Sequence, residues 1–290
     1  MAGEILCYGL DYQGLYDGYQ TEVAMGGPEK EGEWIDHLGE ASEVWRDKAG
    51  EPEIIQYGSA KECVLRIYRA EDSASRKTLI SYPGGFWRVG SPALVDFVAA
   101  GMVPRGVNVV NVGYPLMPGA PSFPKWRIGN LVNSAELAIS EIRKRGKALG
   151  LSDDLYLIGH SAGAHLAAMA SDHSIRALFG VSGVYDIRFA VHGHLSKGPN
   201  RISITEDEAR DFAPINRRPT MSGPVVLVVG ADESAEFKRQ ANRFADEWRD
   251  QGADTSVTVM PDTNHFSLYF QLNDPDSPLS RMVRGQMGLE

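Results

Sequence analysis

The chain has 290 residues, of which 43% are hydrophobic and 23% charged, the usage of an ordinary folded protein and not of a disordered one. Its length allows one large domain or two small ones, and it can bury about three quarters of its unfolded surface without a disulfide or metal staple. With 29 Lys+Arg against 38 Asp+Glu the formal charge is −9, which repels phosphate backbones and anionic lipid and argues against a nucleic-acid or membrane-surface partner.

Two cysteines, Cys7 and Cys63, permit neither a disulfide framework nor a CxxC metal site. The N-terminus lacks a basic region, a long apolar region and a small-residue cleavage site, so no secretory signal is expected. No apolar run approaches the ~18 residues of a membrane span. A cytoplasmic location is expected.

Residues 1–50 are polar and broken by glycine, and read as an extension that packs on the core or covers the site. Within it, Trp34, Ile35, Leu38, Ala41 and Trp45 fall at helical spacing over Glu29–Lys48. Residues 51–290 read as one domain. Its strands are expected at Ile54–Tyr57, Val64–Tyr68, Thr78–Tyr82, Asn108–Gly113, Leu155–Gly159, Ala177–Val181, Val225–Gly230 and Ser256–Met260. These runs are mostly rich in β-branched residues and bounded by Gly or Pro. Helices are expected at Pro92–Ala100, after the N-cap Ser91, and on the stripe Ile128, Leu131, Val132, Ala135, Ala138, Ile139 and Ile142. Two more are expected at Ala162–Ala170 and Ser234–Gln251. Strand–helix alternation implies an α/β fold: a mainly parallel sheet of about eight strands with helices on both faces. The short link Gly58–Glu62 makes the first two strands an antiparallel pair at one edge. The segment 186–224 breaks the alternation and reads as an insertion over the sheet's C-terminal edge.

The chemistry is carried by Gly159-His160-Ser161-Ala162-Gly163, a G-x-S-x-G motif that follows an apolar run and opens a small-residue helix. Glycines let the serine occupy a tight strand-to-helix turn that lifts its hydroxyl clear of the sheet. A serine needs a base to take its proton and an acid to orient the base. In this type of fold they follow in the order Ser, Asp/Glu, His. Asp232 and Glu233 stand just past the strand that ends at Gly230, and consecutive side chains point different ways, so one of the two serves. His265 stands just past the strand that ends at Met260 and is the only histidine after His194. The Gly84-Gly85 pair after Tyr82 can turn backbone N–H groups toward a developing oxyanion. The candidate donors are Gly85 or Phe86, with Ala162 after the nucleophile. The pairs His192/His194 and His160/His165 match no zinc or metalloprotease spacing, so neither metal nor cofactor is expected.

These motifs resemble the α/β-hydrolase superfamily, and within it the kynurenine formamidase (arylformamidase) branch. That branch's HGG-aromatic-Trp loop reads here Pro83-Gly84-Gly85-Phe86-Trp87, and its GHSAGAHLA elbow is matched from Gly159 to Ala167. Its SG-x-YD appears as Ser182-Gly183-Val184-Tyr185-Asp186, its acid segment as Glu233 to Gln240, and its C-terminal His-Phe as His265-Phe266. The likeness runs from about Val64 to Phe270. It implies a catalytic set of Ser161, Glu233 and His265, with Glu233 rather than Asp232 as the acid. Proline replaces the loop histidine at position 83. The resemblance implies hydrolysis of N-formylkynurenine or a related aryl formamide through an acyl-enzyme. Phe86, Trp87, Tyr114 and Tyr185 are the candidates to line an aromatic pocket. A carboxylesterase of the same fold is the alternative, and a non-catalytic binding protein the third reading. The expected partner is a small aromatic substrate, and a homodimer is compatible with the sequence.

Overall fold

The computed structural model describes residues 4–71, 77–117, 126–193, 195 and 202–290. His194 and part of the expected insertion, 196–201, lie outside the described residues. Eight strands form one sheet: β1 (Glu53–Gln56), β2 (Val64–Tyr68), β3 (Lys77–Tyr82), β4 (Val107–Val112), β5 (Asp154–His160), β6 (Ile175–Val181), β7 (Val225–Gly230) and β8 (Thr255–Met260). Their spatial order is β1-β2-β4-β3-β5-β6-β7-β8. The pairs β1–β2 and β2–β4 are antiparallel, and every other pair is parallel. All eight strands fall where the β-branched runs place them, to within a residue or two at each end.

Both faces of the central strands are covered, which is why their sequences are mainly apolar; all six residues of β4 and of β7 are buried. One face carries α5 (Ile128–Arg145), α6 (Ala162–Ala170) and α9 (Ala235–Asp250), packed on Ile80, Val110, Leu157 and Leu227. The other carries α3 (Pro28–Ala49), α4 (Phe97–Met102), α10 (His265–Phe270) and α11 (Pro278–Gln286), packed on Leu79, Val109, Ile158 and Val228. Alternate strand residues serve opposite faces. The stretch expected as one helix over Pro92–Ala100 divides into a 3-10 turn, Pro92–Val95, and α4. Asp96 sits at the division, fully buried. It accepts from Arg66 Nε at 3.1 Å, from Arg46 Nη1 at 3.0 Å and from Asn111 Nδ2 at 3.0 Å.

The N-terminal segment contributes two further helices, α1 (Tyr12–Tyr19) and α2 (Thr21–Met25), and the described part of the 186–224 segment two short ones, α7 (Phe189–His192) and α8 (Glu206–Asp211). Asp11 caps α1 by accepting from the Gly14 N–H at 2.9 Å. Buried polar bonds tie this segment to α9: Gln240 Nε2 donates to Tyr19 Oη at 2.8 Å, and Ser234 Oγ to the Gly18 carbonyl at 2.6 Å. Farther back, Tyr8 Oη donates to Asp186 Oδ1 at 2.8 Å. The tethers place α2 and the start of α3 above the C-terminal ends of β5, β7 and β8.

Candidate active site

The register aligns Tyr82 with Gly159, His160 with Val181, and Gly230 with Met260, so β3, β5, β7 and β8 end along one edge. Ser161 follows β5 there with φ 54° and ψ −120°, outside the regions an L-residue normally occupies. Such a backbone costs about 1–3 kcal/mol and persists only where the surroundings enforce it. Two contacts do so here. The Ser161 N–H donates to the Val181 carbonyl at 2.9 Å, and the elbow glycines leave no room for relaxation. A Cβ on Gly163 would stand 2.0 Å from the Tyr82 carbonyl oxygen, and one on Gly159 2.3 Å from that of Gly163.

His265 is the first residue of α10. Asn264 Oδ1 caps that helix from the N–H groups of Phe266 at 3.0 Å and Ser267 at 2.9 Å, which fixes where the imidazole starts. Its Nδ1 lies 2.7 Å from Glu233 Oε2, and both side chains are buried. The other carboxylate oxygen of Glu233, Oε1, accepts from the Gly230 N–H at 2.7 Å and from Ser182 Oγ at 2.6 Å. Asp232, the neighbouring carboxylate, is exposed, and its N–H donates to the Thr263 carbonyl at 3.0 Å. The alternation of consecutive side chains thus turns Glu233, not Asp232, toward the imidazole.

Ser161 and His265 share the wall of one cavity of about 330 Å³. Gly84, Gly85 and Phe86 line it from the loop after β3, with Gly85 at φ 118° and Phe86 at φ 51°. Ala162 is the first residue of α6, so its N–H is one of the amides at that helix's N-terminus that have no intrahelical acceptor.

Of the four aromatic residues expected at the pocket, Phe86 alone lines it among the described residues. Trp87 is fully buried; its indole Nε1 donates to His165 Nδ1 at 3.3 Å. Tyr114 lies beneath the loop and donates to the Pro83 carbonyl at 2.6 Å, in contact with a separate cavity that holds neither Ser161 nor His265. Tyr185 stacks on Phe244 at 4.2 Å, and its hydroxyl occupies the space that side chains on Gly180 and Gly183 would fill. These three rings support the site from below. The cavity walls come instead from Ile35 and Leu38 of α3, from Leu94 and Val95, and from Phe266 and Tyr269 of α10.

His160 is a second imidazole at the site that motif spacing did not single out. Its Nε2 lies 3.0 Å from the His265 carbonyl oxygen, which can only accept, so Nε2 carries the proton. Its ring stacks on Tyr269 at 4.4 Å and 6°, and burial holds its pKa well below the usual histidine value. A neutral His160 therefore packs against His265 without competing for a proton. Among the described residues no group of three or more His, Cys, Asp or Glu converges on a metal-sized site. No helix among them is long and apolar enough to cross a membrane.

No family model matches the chain. It is 28% identical over 250 residues to a kynurenine formamidase of Salmo salar, covering 81% of each chain. It is 27% identical to that of Danio rerio, again over 81% of each. A probable isoprenylcysteine alpha-carbonyl methylesterase of Arabidopsis thaliana is 26% identical over 75% of this chain and 51% of its own. Among solved structures, a Silicibacter protein provisionally classed as a thioesterase superposes with a TM-score of 0.78 at 20% identity, covering 92% of this chain and 98% of that one. An arylesterase superposes at 0.64 and 19% identity, covering 90% and 91%.

Proposed function

We propose that the chain, a hydrolase of α/β-hydrolase fold that resembles the kynurenine formamidases over most of its length, cleaves a small aryl formamide of the N-formylkynurenine type through an acyl-enzyme. The observation that carries the reading is the buried His265–Glu233 pair, with Nδ1 and Oε2 2.7 Å apart, whose imidazole lies on the wall of the cavity that also holds the strained Ser161.

In this mechanism Ser161 Oγ attacks the formyl carbon as His265 Nε2 takes its proton. Glu233 holds the Nδ1–H tautomer and stabilises the imidazolium that forms. The N–H groups of Gly85, Phe86 and Ala162 receive the oxyanion; one such donor is worth about 3 kcal/mol. His265 then gives its proton to the arylamine nitrogen, the C–N bond breaks, and the amine leaves. Water, deprotonated by His265, attacks the formyl ester and releases formate and the free serine. Pro83 brings no side-chain donor to the loop where the relatives' motif has histidine, so the oxyanion is held by backbone amides alone.

A carboxylesterase is the second reading, favoured by the likeness to the Arabidopsis methylesterase. Both readings are tested by measuring kcat/KM on N-formylkynurenine, formanilide, an aryl acetate and an alkyl ester, with Ser161→Ala as control. Turnover of formamides that disappears in Ser161→Ala supports the proposal, together with fluorophosphonate labelling of the wild type only. Turnover of esters with none of formamides refutes it.

A further inference from the structure

Two neighbouring strands of the sheet are each followed by a serine with a left-handed backbone. Ser161 follows β5 with φ 54°, and Ser182 follows β6 with φ 50°. Each gives its N–H to a carbonyl of the next strand, Ser161 to Val181 at 2.9 Å and Ser182 to Val228 at 2.8 Å. The bend that carries the nucleophile is thus repeated one strand along. Glycine adopts a positive φ without strain, whereas a residue with a side chain holds it only where the surroundings enforce it. Position 182 nonetheless carries a side chain, next to Gly183, which has none.

That side chain is directed at the catalytic acid. Ser182 is 1% exposed, and its Oγ donates to Glu233 Oε1 at 2.6 Å. It is not among the described residues that line the cavity above Ser161, so any effect on a ligand there passes through Glu233. The Gly230 N–H, at the end of β7, donates to the same oxygen at 2.7 Å. Two donors from neighbouring strands therefore fix Oε1, which leaves Oε2 2.7 Å from His265 Nδ1. With one donor removed, the carboxylate can pivot on the remaining bond and carry Oε2 away from Nδ1. The imidazole needs that oxygen most when it has taken the serine proton and become charged.

We infer that Ser182 is a positioning residue for hydrolysis: its bend is kept so that its hydroxyl locks the Glu233 carboxylate, and through it the His265 ring, in the orientation that deprotonates Ser161. This rests on the hydrolase reading of Ser161 and His265, though not on the identity of the acyl or leaving group. A hydroxyl kept for stability alone would make activity follow stability when it is removed. A positioning hydroxyl separates the two. Glycine and alanine at 182 both lack it and should lose the same activity, although only alanine keeps the strained backbone.

The test uses Ser182→Gly, Ser182→Ala, Glu233→Gln and the double variant Ser182→Gly/Glu233→Gln. Each is measured for kcat and KM on phenyl acetate and N-formylkynurenine, for the rate of fluorophosphonate labelling at Ser161, and for thermal unfolding. Both hydroxyl-free variants are expected to lower kcat and the labelling rate about tenfold with KM unchanged, the loss of one hydrogen bond to a charged group. The glycine variant should unfold at a higher temperature than the alanine variant. In the Glu233→Gln background Ser182→Gly should change kcat by less than about twofold, because the hydroxyl acts through the carboxylate. The inference falls if either single variant stays within about twofold of wild type, or if activity follows the unfolding temperature across the two. It falls also if the glycine variant does not fold, or if its tenfold effect persists in the Glu233→Gln background. A wild type that fluorophosphonate leaves unlabelled removes the hydrolase reading and the inference with it; a labelled wild type with unaffected Ser182 variants removes the inference alone.

Discussion

Replacing Glu233 with glutamine exchanges one oxygen for an NH2 group with little change in shape, and the hydrogen bonds around the carboxylate decide which way the new amide turns. Glu233 Oε1 accepts two donors, the Gly230 N–H at 2.7 Å and Ser182 Oγ at 2.6 Å, whereas Oε2 faces His265 Nδ1 at 2.7 Å. The glutamine oxygen is drawn to the position with two donors, so its NH2 points at Nδ1. Nδ1 must then accept, Nε2 carries the proton, and the imidazole cannot take one from Ser161. The reverse orientation restores the useful tautomer but opposes the NH2 to the Gly230 N–H, at a cost of about 1–3 kcal/mol for the buried donor left unmade. Loss of the carboxylate also removes a charge-assisted bond to the imidazolium, worth roughly another 1.5–3 kcal/mol. Together these come to roughly 3–6 kcal/mol, a fall in kcat of about 10²- to 10⁴-fold. The assay is steady-state kcat on an aryl acetate and on N-formylkynurenine, with thermal unfolding to show that the variant folds. Asp232→Asn, at an exposed position, should stay within about twofold of wild type, as surface substitutions usually do. A Glu233→Gln enzyme within about fivefold of wild type would refute the tautomer argument.

Three further outcomes concern stability. Asp96→Ala strands the buried Arg66 guanidinium and should cost about 3–5 kcal/mol by urea denaturation, with a smaller loss in the double variant Asp96→Leu/Arg66→Met. Gly163→Ala forces a methyl against the Tyr82 and Pro83 carbonyls, at 2.0 and 2.6 Å. It should cost about 1–3 kcal/mol and lower kcat as the elbow shifts, both read on one purified sample. His165 is fully buried between the Phe212 carbonyl and the Trp87 indole, and burial lowers its pKa from 6.5 to about 4. Between those values the unfolded chain takes up a proton that the folded one does not, so stability falls as pH drops through that window, by about 3 kcal/mol at most. His165→Gln, which keeps a donor for Phe212, should flatten the decline; an unchanged slope would locate it elsewhere.

The eight strands were legible because most are short runs rich in β-branched residues closed by Gly or Pro, and burial on both faces keeps the central ones mainly apolar. The exchange of β3 and β4 in the spatial order was not legible, since nothing in either run encodes which neighbour it takes. Ser161 and His265 could be named because each stands just past a strand end; Asp232 and Glu233 share that position, and only the motif resemblance favoured Glu233 before its carboxylate was found against the imidazole. The aromatic pocket could not be drawn, because proximity to a strand end does not give a side chain's direction. Phe86 and Trp87 are adjacent, both with positive φ, yet Phe86 faces the cavity and Trp87 the core. Tyr185 is drawn inward by the two glycines that make room for its hydroxyl. The N-terminal helices lacked a signal of comparable strength: α1 is eight residues of mixed polarity, held by Tyr19, Gln240 and Ser234 across more than two hundred positions of sequence.

That division has a physical origin. A nucleophile, its base and its acid must be held within fractions of an ångström, and only elements fixed by a two-sided core can do so; their positions are therefore written in strong, local apolar patterns. Recognition of the rest of a substrate tolerates looser support. In the proposed function that task would fall to a strap of helices that is anchored by polar bonds to α9 and lines one side of the cavity. Gln20, Thr21, Glu31, Ile35 and Leu38, all from that strap, make up one side of the cavity. Weakening the anchor should separate the two tasks. Tyr19→Phe removes the hydroxyl that accepts from Gln240 Nε2 and Arg239 Nη2, each at 2.8 Å, and donates to Glu236 Oε2 at 3.0 Å, while keeping the ring stacked on Phe189 at 3.9 Å. Gln240 Nε2 keeps its bond to the Asp186 carbonyl, and Glu236 and Arg239 keep each other, so the loss is that of the three bonds themselves, about 1–3 kcal/mol in all. That loss loosens the strap without touching β5, β7 or β8. The expected result is a raised KM, with kcat on phenyl acetate retained. A fall in kcat with KM unchanged would mean that the strap holds the hydrolytic groups themselves in place, and that the site is one unit.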